Sequence, residues 1–502
     1  MSARIRAATF ALALLAAPFA LLAAQQAPLR LTMDEAVRRA LQSGEEVQVA
    51  QAGVDEARGQ VREAYAGALP EVRASLTYQR TFASVWSGGY TGPALGPFAP
   101  DTTAPLSERI RYLENEYPNA VLRGLGELFA ATPFGQQNTY TAAVTVGQVL
   151  YQGGKVAAGV RGAHAYERAA AAQLEETRRD IVYRVKQAYL DALFAGRLLD
   201  IAIEGEAQTD SQLARVEMNH NVGAAADYDL LRAQVEAANQ EPQVIAARNQ
   251  NDLAVLELKR LVNVPVNQPL ELDAGALAGD SVPEVDLSRV ALNDDQRALV
   301  DAAEATVAFR REAVRVYAGD LYPSLRFDMS YGGQAFPAGT LPGYGDFRRD
   351  WNARLTVSMP LFDGFRTRGQ VAQAKAELSR AEAQLAQTRE SVAIEAEQAR
   401  DEVVRARALL AARQQTVSWA ARAHHLATVR FANGIATSLE VSDARLALQQ
   451  AEVNEAQALR DYLLGLAALE RAVGHDIRGA PAGRAAQTAP AGTGTNRSGV
   501  RQ

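Results

Sequence analysis

The stretch QVAQAKAELSRAEAQLAQTRESVAIEAEQARDEVVRARALLAARQQTVSWAARAHHLATVRFANGIAT, residues 370–437, decides the fold. From Gln370 to Asn433 it holds neither glycine nor proline, so no residue in it breaks a helix. Its sixty-four residues, at a rise of about 1.5 Å each, predict a helix of roughly 96 Å. Asn433-Gly434-Ile435-Ala436-Thr437 reads as a tight turn, and Ser438 to Leu464 as a returning helix. Val371, Ala374, Leu378, Ala381 and Leu385 form one apolar stripe; Ala396, Ala399, Val403, Ala406 and Leu410 form another. Spacings of three and four residues are those of knobs-into-holes packing.

The same hairpin occurs earlier in the chain. Leu150 in LYQGGK matches Leu361 in LFDGFR, Gly223 matches Gly434, and Asn263 matches Gly474; 361 − 150, 434 − 223 and 474 − 263 are all 211. A constant offset of this length predicts a duplicated half-molecule, not a short solenoid repeat. In the first copy the outgoing arm runs from about Lys155 to Asn219, and the returning arm, from about Ala226, is expected to kink or break at Pro242.

Upstream of each hairpin lies a pair of segments with period two. Val72, Ala74, Leu76 and Tyr78 oppose Arg73, Ser75, Thr77 and Gln79, and the pattern returns from Thr139 to Leu150. In the second half, Leu325, Phe327, Met329 and Tyr331 oppose Arg326, Asp328 and Ser330; Trp351, Ala353, Leu355, Val357 and Met359 oppose Asn352, Arg354, Thr356 and Ser358. About ten residues is the length of a tilted strand crossing an outer membrane, with Tyr78, Tyr140, Tyr331 and Trp351 placed as an interfacial girdle. Alternation alone also fits a soluble hairpin pair with one buried face. The first pair encloses a long loop, Ser87 to Gln136, with a helical insert expected from Ser107 to Phe129; the second encloses Gly332 to Asp350. Before each pair a helix is expected: from the capping box Thr32/Glu35 to about Leu69, and from Leu287 to Ala318.

The N-terminus reads as a secretory signal, with Arg4 and Arg6 before an apolar run from Ala7 to Leu22 and Gln25 as first mature residue. The net charge of −6 then becomes −8, which argues against a nucleic-acid partner. The chain has no cysteine, which excludes disulfides, thiolate nucleophiles and Cys-type zinc sites. No nucleophile–base constellation is visible, so no enzyme, cofactor or catalytic residue is expected. His424 and His425 are adjacent and point to different helix faces, so no metal site is expected. Gly153-Gly154-Lys155 lacks the spacing of a phosphate loop.

Four strands cannot close a transmembrane barrel, and an open sheet leaves unpaired edges that hydrocarbon does not tolerate. If the strands span a membrane, several chains share one barrel, and three chains would supply twelve strands. A non-channel periplasmic or surface coiled-coil scaffold is the rival reading from another class.

At this point the sequence resembles the TolC-type outer-membrane efflux family. The resemblance is carried by LTMDEAVRRAL (31–41), VLYQGGKV (149–156), MPLFDGFR (359–366), NVGAAAD (221–227) and ANGIATSLEVSDA (432–444), and covers about Leu31 to His475. It implies an α+β membrane protein: a homotrimer with a shared twelve-stranded transmembrane β-barrel, four strands per chain, continued by a long periplasmic α-helical barrel. It implies a passive exit duct in the outer membrane of a Gram-negative bacterium, serving a tripartite efflux pump or type I secretion system. The partners would be a periplasmic adaptor, an inner-membrane transporter of the RND, ABC or MFS type, and outer-membrane lipid. The expected organisation is a signal peptide over 1–24, a first repeat over 25–263 with its turn at 221–226, and an equatorial linker over 264–286. A second repeat follows over 287–475, with its turn at 432–437, and then a disordered tail over 476–502.

Glu440 and Asp443 stand three residues apart after the second turn, on one helix face. Three copies would place six carboxylates around one pore, disfavouring full ionisation and attracting cations. The resemblance implies that they constrict the periplasmic end. Asp229 matches Glu440 in the first repeat, while Arg232 matches Asp443. The resemblance also implies that Val222, Gly223, Asn433, Gly434 and Ile435 meet the adaptor. Where latched family members carry a tyrosine before and an arginine after the second-turn glycine, this chain has Phe431 and Ala436, so packing by Phe431 is expected to hold the resting gate.

Overall fold

The computed structural model describes residues 28–82, 98–130, 137–273, 275, 285–287, 290, 297–337, 339–475 and 477, with side chains of 123–130 left aside. The signal peptide expected over 1–24 and, Ile477 apart, the tail expected over 476–502 lie outside them, as does most of the linker between 274 and 284. The chain divides into two compact units: Met1–Ala52, Ala172–Asp301 and Gln387–Gln502 form one, Gly53–Ala171 and Ala302–Ala386 the other.

Element order is β1 (Leu29–Leu31), α1 (Met33–Ser43), α2 (Glu45–Ala66), β2 (Glu71–Arg80), α3 (Leu106–Ala130), β3 (Asn138–Gln152), α4 (Lys155–Asn221), α5 (Asp227–Leu261) and β4 (Leu270–Leu272), followed by α6 (Ala298–Gly319), β5 (Ser324–Ala335), β6 (Phe347–Ser358), α7 (Arg366–Ala432) and α8 (Ser438–Val473). Helices α4 and α7 each have 67 residues, about 100 Å at the α-helical rise. They begin and end at positions offset by 366 − 155 = 432 − 221 = 211.

The second unit holds a four-stranded antiparallel sheet in the order β2-β3-β5-β6. Its register sets like with like. Val72, Val146, Met329 and Ala353 lie in one row, and Ala74, Val144, Tyr331 and Trp351 in the next row on that face. Between them, on the opposite face, run Arg73, Thr145, Ser330 and Asn352. Over these rows one face is apolar and the other polar across all four strands; the next row of the apolar face, Leu76, Ala142 and Gly333, ends on Arg349. Neither face is a core: Val72 is 65% exposed, Leu76 76% and Trp351 73%. Within the single chain neither face is covered, whereas a soluble hairpin pair would bury one of them. The register slips once, between Val149 and Tyr151. Below the sheet, Arg161 on α4 pairs with Glu312 on α6 at 2.9 Å, and Arg310 on α6 with Glu377 on α7 at 2.8 Å.

In the first unit the apolar stripe on α7 is buried as its spacing requires. Val403, Ala406 and Leu410 join Leu459, Leu463, Leu466 and Leu469 of α8 in one core. Small residues allow close approach, and Gly465 brings the α8 backbone against Val403. The segment expected to be an irregular linker contributes β4, which pairs in parallel with β1. Fully buried Tyr189 on α4 fastens the pair: its hydroxyl lies 2.9 Å from the Leu31 carbonyl and 3.0 Å from that of Asp273, and accepts from the Asp273 N–H at 3.1 Å. Burial pushes the phenol up to about 12. Tyr189→Phe takes the hydroxyl donor from the Asp273 carbonyl, while the Asp273 N–H keeps its bond to the Leu31 carbonyl at 3.2 Å; the change is expected to cost about 1–3 kcal/mol, read as a lower thermal midpoint. Because the folded pKa is raised, Tyr189's contribution is present below pH 10 and lost as pH rises through about 12.

Four local expectations are corrected. The first helix does not run unbroken to Leu69: it splits at Gly44, whose backbone is extended (ψ 129°), into α1 and α2. Glycine's weak helix propensity lets the chain turn there. The capping box at Thr32 forms only its Thr half, because the Glu35 carboxylate bonds Arg38 at 2.5 Å instead. Of the kink or break expected at Pro242, the break does not occur: α5 continues through it, giving up one donor while Val244 and Gln240 stay buried. The helix expected from Leu287 starts at Ala298, and Leu287 itself lies in a 3₁₀ turn.

Candidate functional site

The hairpin tips close by the same device twice. After α4, Gly223 (φ 76°) donates to the His220 carbonyl at 2.9 Å and Ala224 to that of Asn219 at 2.7 Å. After α7, Gly434 (φ 71°) donates to Phe431 and Ile435 to Arg430, both at 2.9 Å. This is the Schellman closure, and it needs a left-handed residue at the glycine. The tips project apolar side chains: Val222 is 75% exposed and Ile435 69%. Asn433 and both glycines are exposed, and the Asn433 amide donates back to Val429 at 2.7 Å. On α5, Tyr228, Leu231 and Val235 continue an exposed apolar stripe at spacings of three and four.

The three carboxylates singled out by sequence occupy different environments. Glu440 belongs to its own helix start: the Thr437 hydroxyl accepts from the Glu440 N–H at 3.3 Å, and the Glu440 carboxylate accepts from the Thr437 N–H at 3.4 Å. Its other oxygen lies 3.4 Å from the Arg430 guanidinium, so a cation from across the turn already offsets its charge. Asp443, one turn further, is exposed; Asp229 on α5 is half-buried. Among the described residues no hydrogen bond or ion pair joins Asp229, Glu440 and Asp443 within one chain. Phe431 is half-buried and serves the turn through its carbonyl.

The two hairpins are tied together near the tips by residues that, Arg232 apart, the sequence did not single out. Arg232 on α5 bonds Glu236 at 3.2 Å, and the Ser442 hydroxyl on α8 donates to the other Glu236 oxygen at 3.0 Å. Arg445 on α8 reaches the Gly205 carbonyl of α4 at 3.5 Å. Arg430 faces Glu440 across ten positions centred on the turn, a spacing that an antiparallel hairpin would have revealed. Glu236 and Ser442 lie 206 residues apart, and no local pattern links them. Beside them is a cavity of about 370 Å³ lined by Gln212, Arg215, Glu236, His424, Ser442 and Arg445. Burial, with Arg445 and His425 nearby, holds the His424 imidazole below its ordinary value. Among the described residues no group of His, Cys, Asp and Glu has the geometry of a metal site.

Comparison with known proteins places this architecture. A sequence model of the outer membrane efflux protein family matches residues 36–264 and 292–475. Protein CyaE of Bordetella pertussis is 27% identical over 253 residues, 49% of this chain and 52% of CyaE. Outer membrane protein TolC of Vibrio cholerae is 23% identical over 308 residues, 61% of this chain and 70% of TolC. The chain thus matches about half the length of CyaE and a larger share of TolC. In structure it is similar to the outer membrane protein VceC of Vibrio cholerae, with a TM-score of 0.69 at 19% identity, covering 89% of this chain and 96% of VceC. A family model spanning both halves of the sequence, together with a shared fold over nearly the whole length, decides the matter: the chain belongs to the outer membrane efflux protein family.

Proposed function

We propose that three copies of this chain assemble into the exit duct of a tripartite efflux pump or type I secretion system. Each copy contributes β2, β3, β5 and β6 to a twelve-stranded barrel, and its two helical hairpins to a helical barrel across the periplasm. The observation that carries this reading is the two-faced sheet whose edge strands, β2 and β6, have no outer neighbour among the described residues. Apolar faces meet lipid and polar faces line the lumen, and neighbouring copies satisfy the edges that lipid cannot. The 211-residue offset between α4 and α7 supports an internal duplication, with repeats over 25–263 and 287–475 around the linker 264–286. The exposed stripe Tyr228, Leu231 and Val235 fits a helix flanked by another copy's hairpin.

The duct is passive. An inner-membrane transporter supplies the energy, and a periplasmic adaptor meets the tips at Val222, Gly223, Asn433, Gly434 and Ile435. A photo-crosslinker at Ala224 or Ile435, in cells, tests this: capture of an adaptor supports the docking role, and no adaptor at either tip of assembled protein refutes it. The class of transporter bound to that adaptor separates a proton-driven exporter from an ATP-driven one.

Asp229, Glu440 and Asp443 set a cation-preferring constriction at the periplasmic end, and Phe431 packs the resting gate. Since Arg430 offsets Glu440, Asp443 carries more of the selectivity. In planar bilayers under a salt gradient, Asp443→Asn is expected to reduce cation preference more than Glu440→Gln does. Equal effects would discount the Arg430 pairing. Phe431→Ala is expected to raise resting conductance severalfold; unchanged conductance would remove packing as the latch.

A further inference from the structure

The loop between β2 and β3 carries a helix that the corresponding loop between β5 and β6 lacks. Residues 81–137 separate the first pair of strands, against 336–346 for the second, where a single 3₁₀ turn forms among the described residues. The long loop leaves β2, an open edge of the sheet, at the end remote from the long helices. Within it, Leu106, Ile110, Leu113 and Tyr117 repeat at spacings of four, three and four along α3. All four are exposed, Leu106 at 70% and Tyr117 at 66%. The part of α3 that is covered lies elsewhere: Phe98 packs on the Tyr112 ring at 5.9 Å, and the Ala99 N–H donates to the Tyr112 hydroxyl at 3.1 Å. The chain thus braces the helix from one side and leaves the apolar stripe bare.

We propose that α3 is a self-association element whose stripe packs against the α3 helices of neighbouring copies, forming a parallel helical cluster at the outward mouth of the duct. This rests on the trimeric reading above, which brings three copies of the same loop to one rim. The spacing is that of a coiled-coil seam, with Leu106 and Leu113 at one core position and Ile110 and Tyr117 at the other. In that frame Arg109 and Glu114 flank the seam five residues apart, the relation in which opposite charges pair between parallel helices. Neither makes a side-chain ion pair within hydrogen-bonding reach among the described residues, although Arg109 lies near enough to Asp101 to help lower its carboxyl. Pro118 falls on the outer side of the seam, where its missing donor disturbs no contact between copies. A lipid surface suits the helix less well. Surface-bound amphipathic helices carry a basic polar face, whereas here Arg109 and Arg111 are outnumbered by Glu108, Glu114 and Glu116. The cluster would narrow the exit opposite the periplasmic gate.

The absence of cysteine from the chain makes the test direct. Leu113→Cys in the seam and Arg111→Cys outside it are placed in the full-length protein in native outer membranes and treated with a short bis-maleimide. Leu113→Cys is expected to give covalent dimers and trimers on denaturing gels, and Arg111→Cys to stay monomeric. Arg109→Glu in the Leu113→Cys background is expected to lower the yield, and Glu114→Arg to restore it. Equal cross-linking at both positions overturns the seam. No cross-linking in an intact native trimer also overturns the proposal: ready labelling by an impermeant maleimide then means a bare helix, and protection relieved by detergent means a lipid cover. If Leu113→Cys prevents assembly, Ile110→Cys replaces it. Failure of the unmodified protein to form a trimer refutes the assembly reading instead.

Discussion

Arg297→Ala is expected to be the most damaging single change in the helical unit, costing about 3–5 kcal/mol per chain. The Arg297 side chain is 1% exposed and stands at the start of α6. Its guanidinium bonds both oxygens of Glu176 on α4, at 2.8 and 3.2 Å, Glu395 on α7 at 3.2 Å, and the Ala472 carbonyl of α8 at 3.2 Å. One side chain therefore joins four helices. Burial works against its charge, but the carboxylates of Glu176 and Glu395 hold the guanidinium above its ordinary value. Truncation leaves Glu176, itself 7% exposed, as an uncompensated buried charge. That orphan, more than the lost attraction, sets the size of the effect. Pairing Arg297→Met with Glu176→Leu is therefore expected to recover most of the loss, and Arg297→Lys only part, since an ammonium cannot make the two-pronged contact. Thermal unfolding of the purified assembly checks the order: single alanine lowest, lysine between, double variant near the parent. A double variant no better than Arg297→Ala would contradict the orphan-charge explanation.

Gly153→Ala is expected to be nearly as severe, for a backbone reason. Gly153 follows β3 with φ 56°, and a Cβ there would lie 2.2 Å from the Gly319 carbonyl oxygen. Gly364, its counterpart 211 positions on, has φ 70° but open space around it. Both substitutions meet the left-handed penalty of about 1–2 kcal/mol. Only Gly153→Ala also drives a methyl into backbone that cannot rotate away, which adds a further overpacking cost of about 1–3 kcal/mol. The Lys155–Asp320 ion pair at 2.9 Å crosses the same junction, so the strain falls where α4 leaves the sheet. Yield of heat-sensitive assembled protein in outer membranes should fall strongly for Gly153→Ala and slightly for Gly364→Ala. Equal yields would show that the junction can relax.

The features legible in the sequence are those encoded locally. A helix free of glycine and proline from Gln370 to Asn433, turns at Gly223 and Gly434, and four alternating segments each follow from a few neighbouring residues. The structure shows them at those places. Local rules misled where packing outweighed propensity, as at Pro242, or where a side chain had two partners to choose from, as at Glu35. What stayed illegible was non-local. Arg297 meets Glu176 and Glu395 across 121 and 98 positions, and Glu236 meets Ser442 across 206. The acidic positions of the tip were readable from spacing and resemblance. The cation beside Glu440 went unread although the hairpin implies it: Arg430 lies on the other arm, ten positions back across the turn.

An exit duct of this kind requires the sheet to be one part of a barrel completed by other copies. Native mass spectrometry of the protein extracted from outer membranes in mild detergent tests this most directly. The expected result is a particle of three chains that heat separates into monomers. A stable particle of one chain, extracted from the outer membrane with its sheet intact, would contradict the shared barrel and everything built on it.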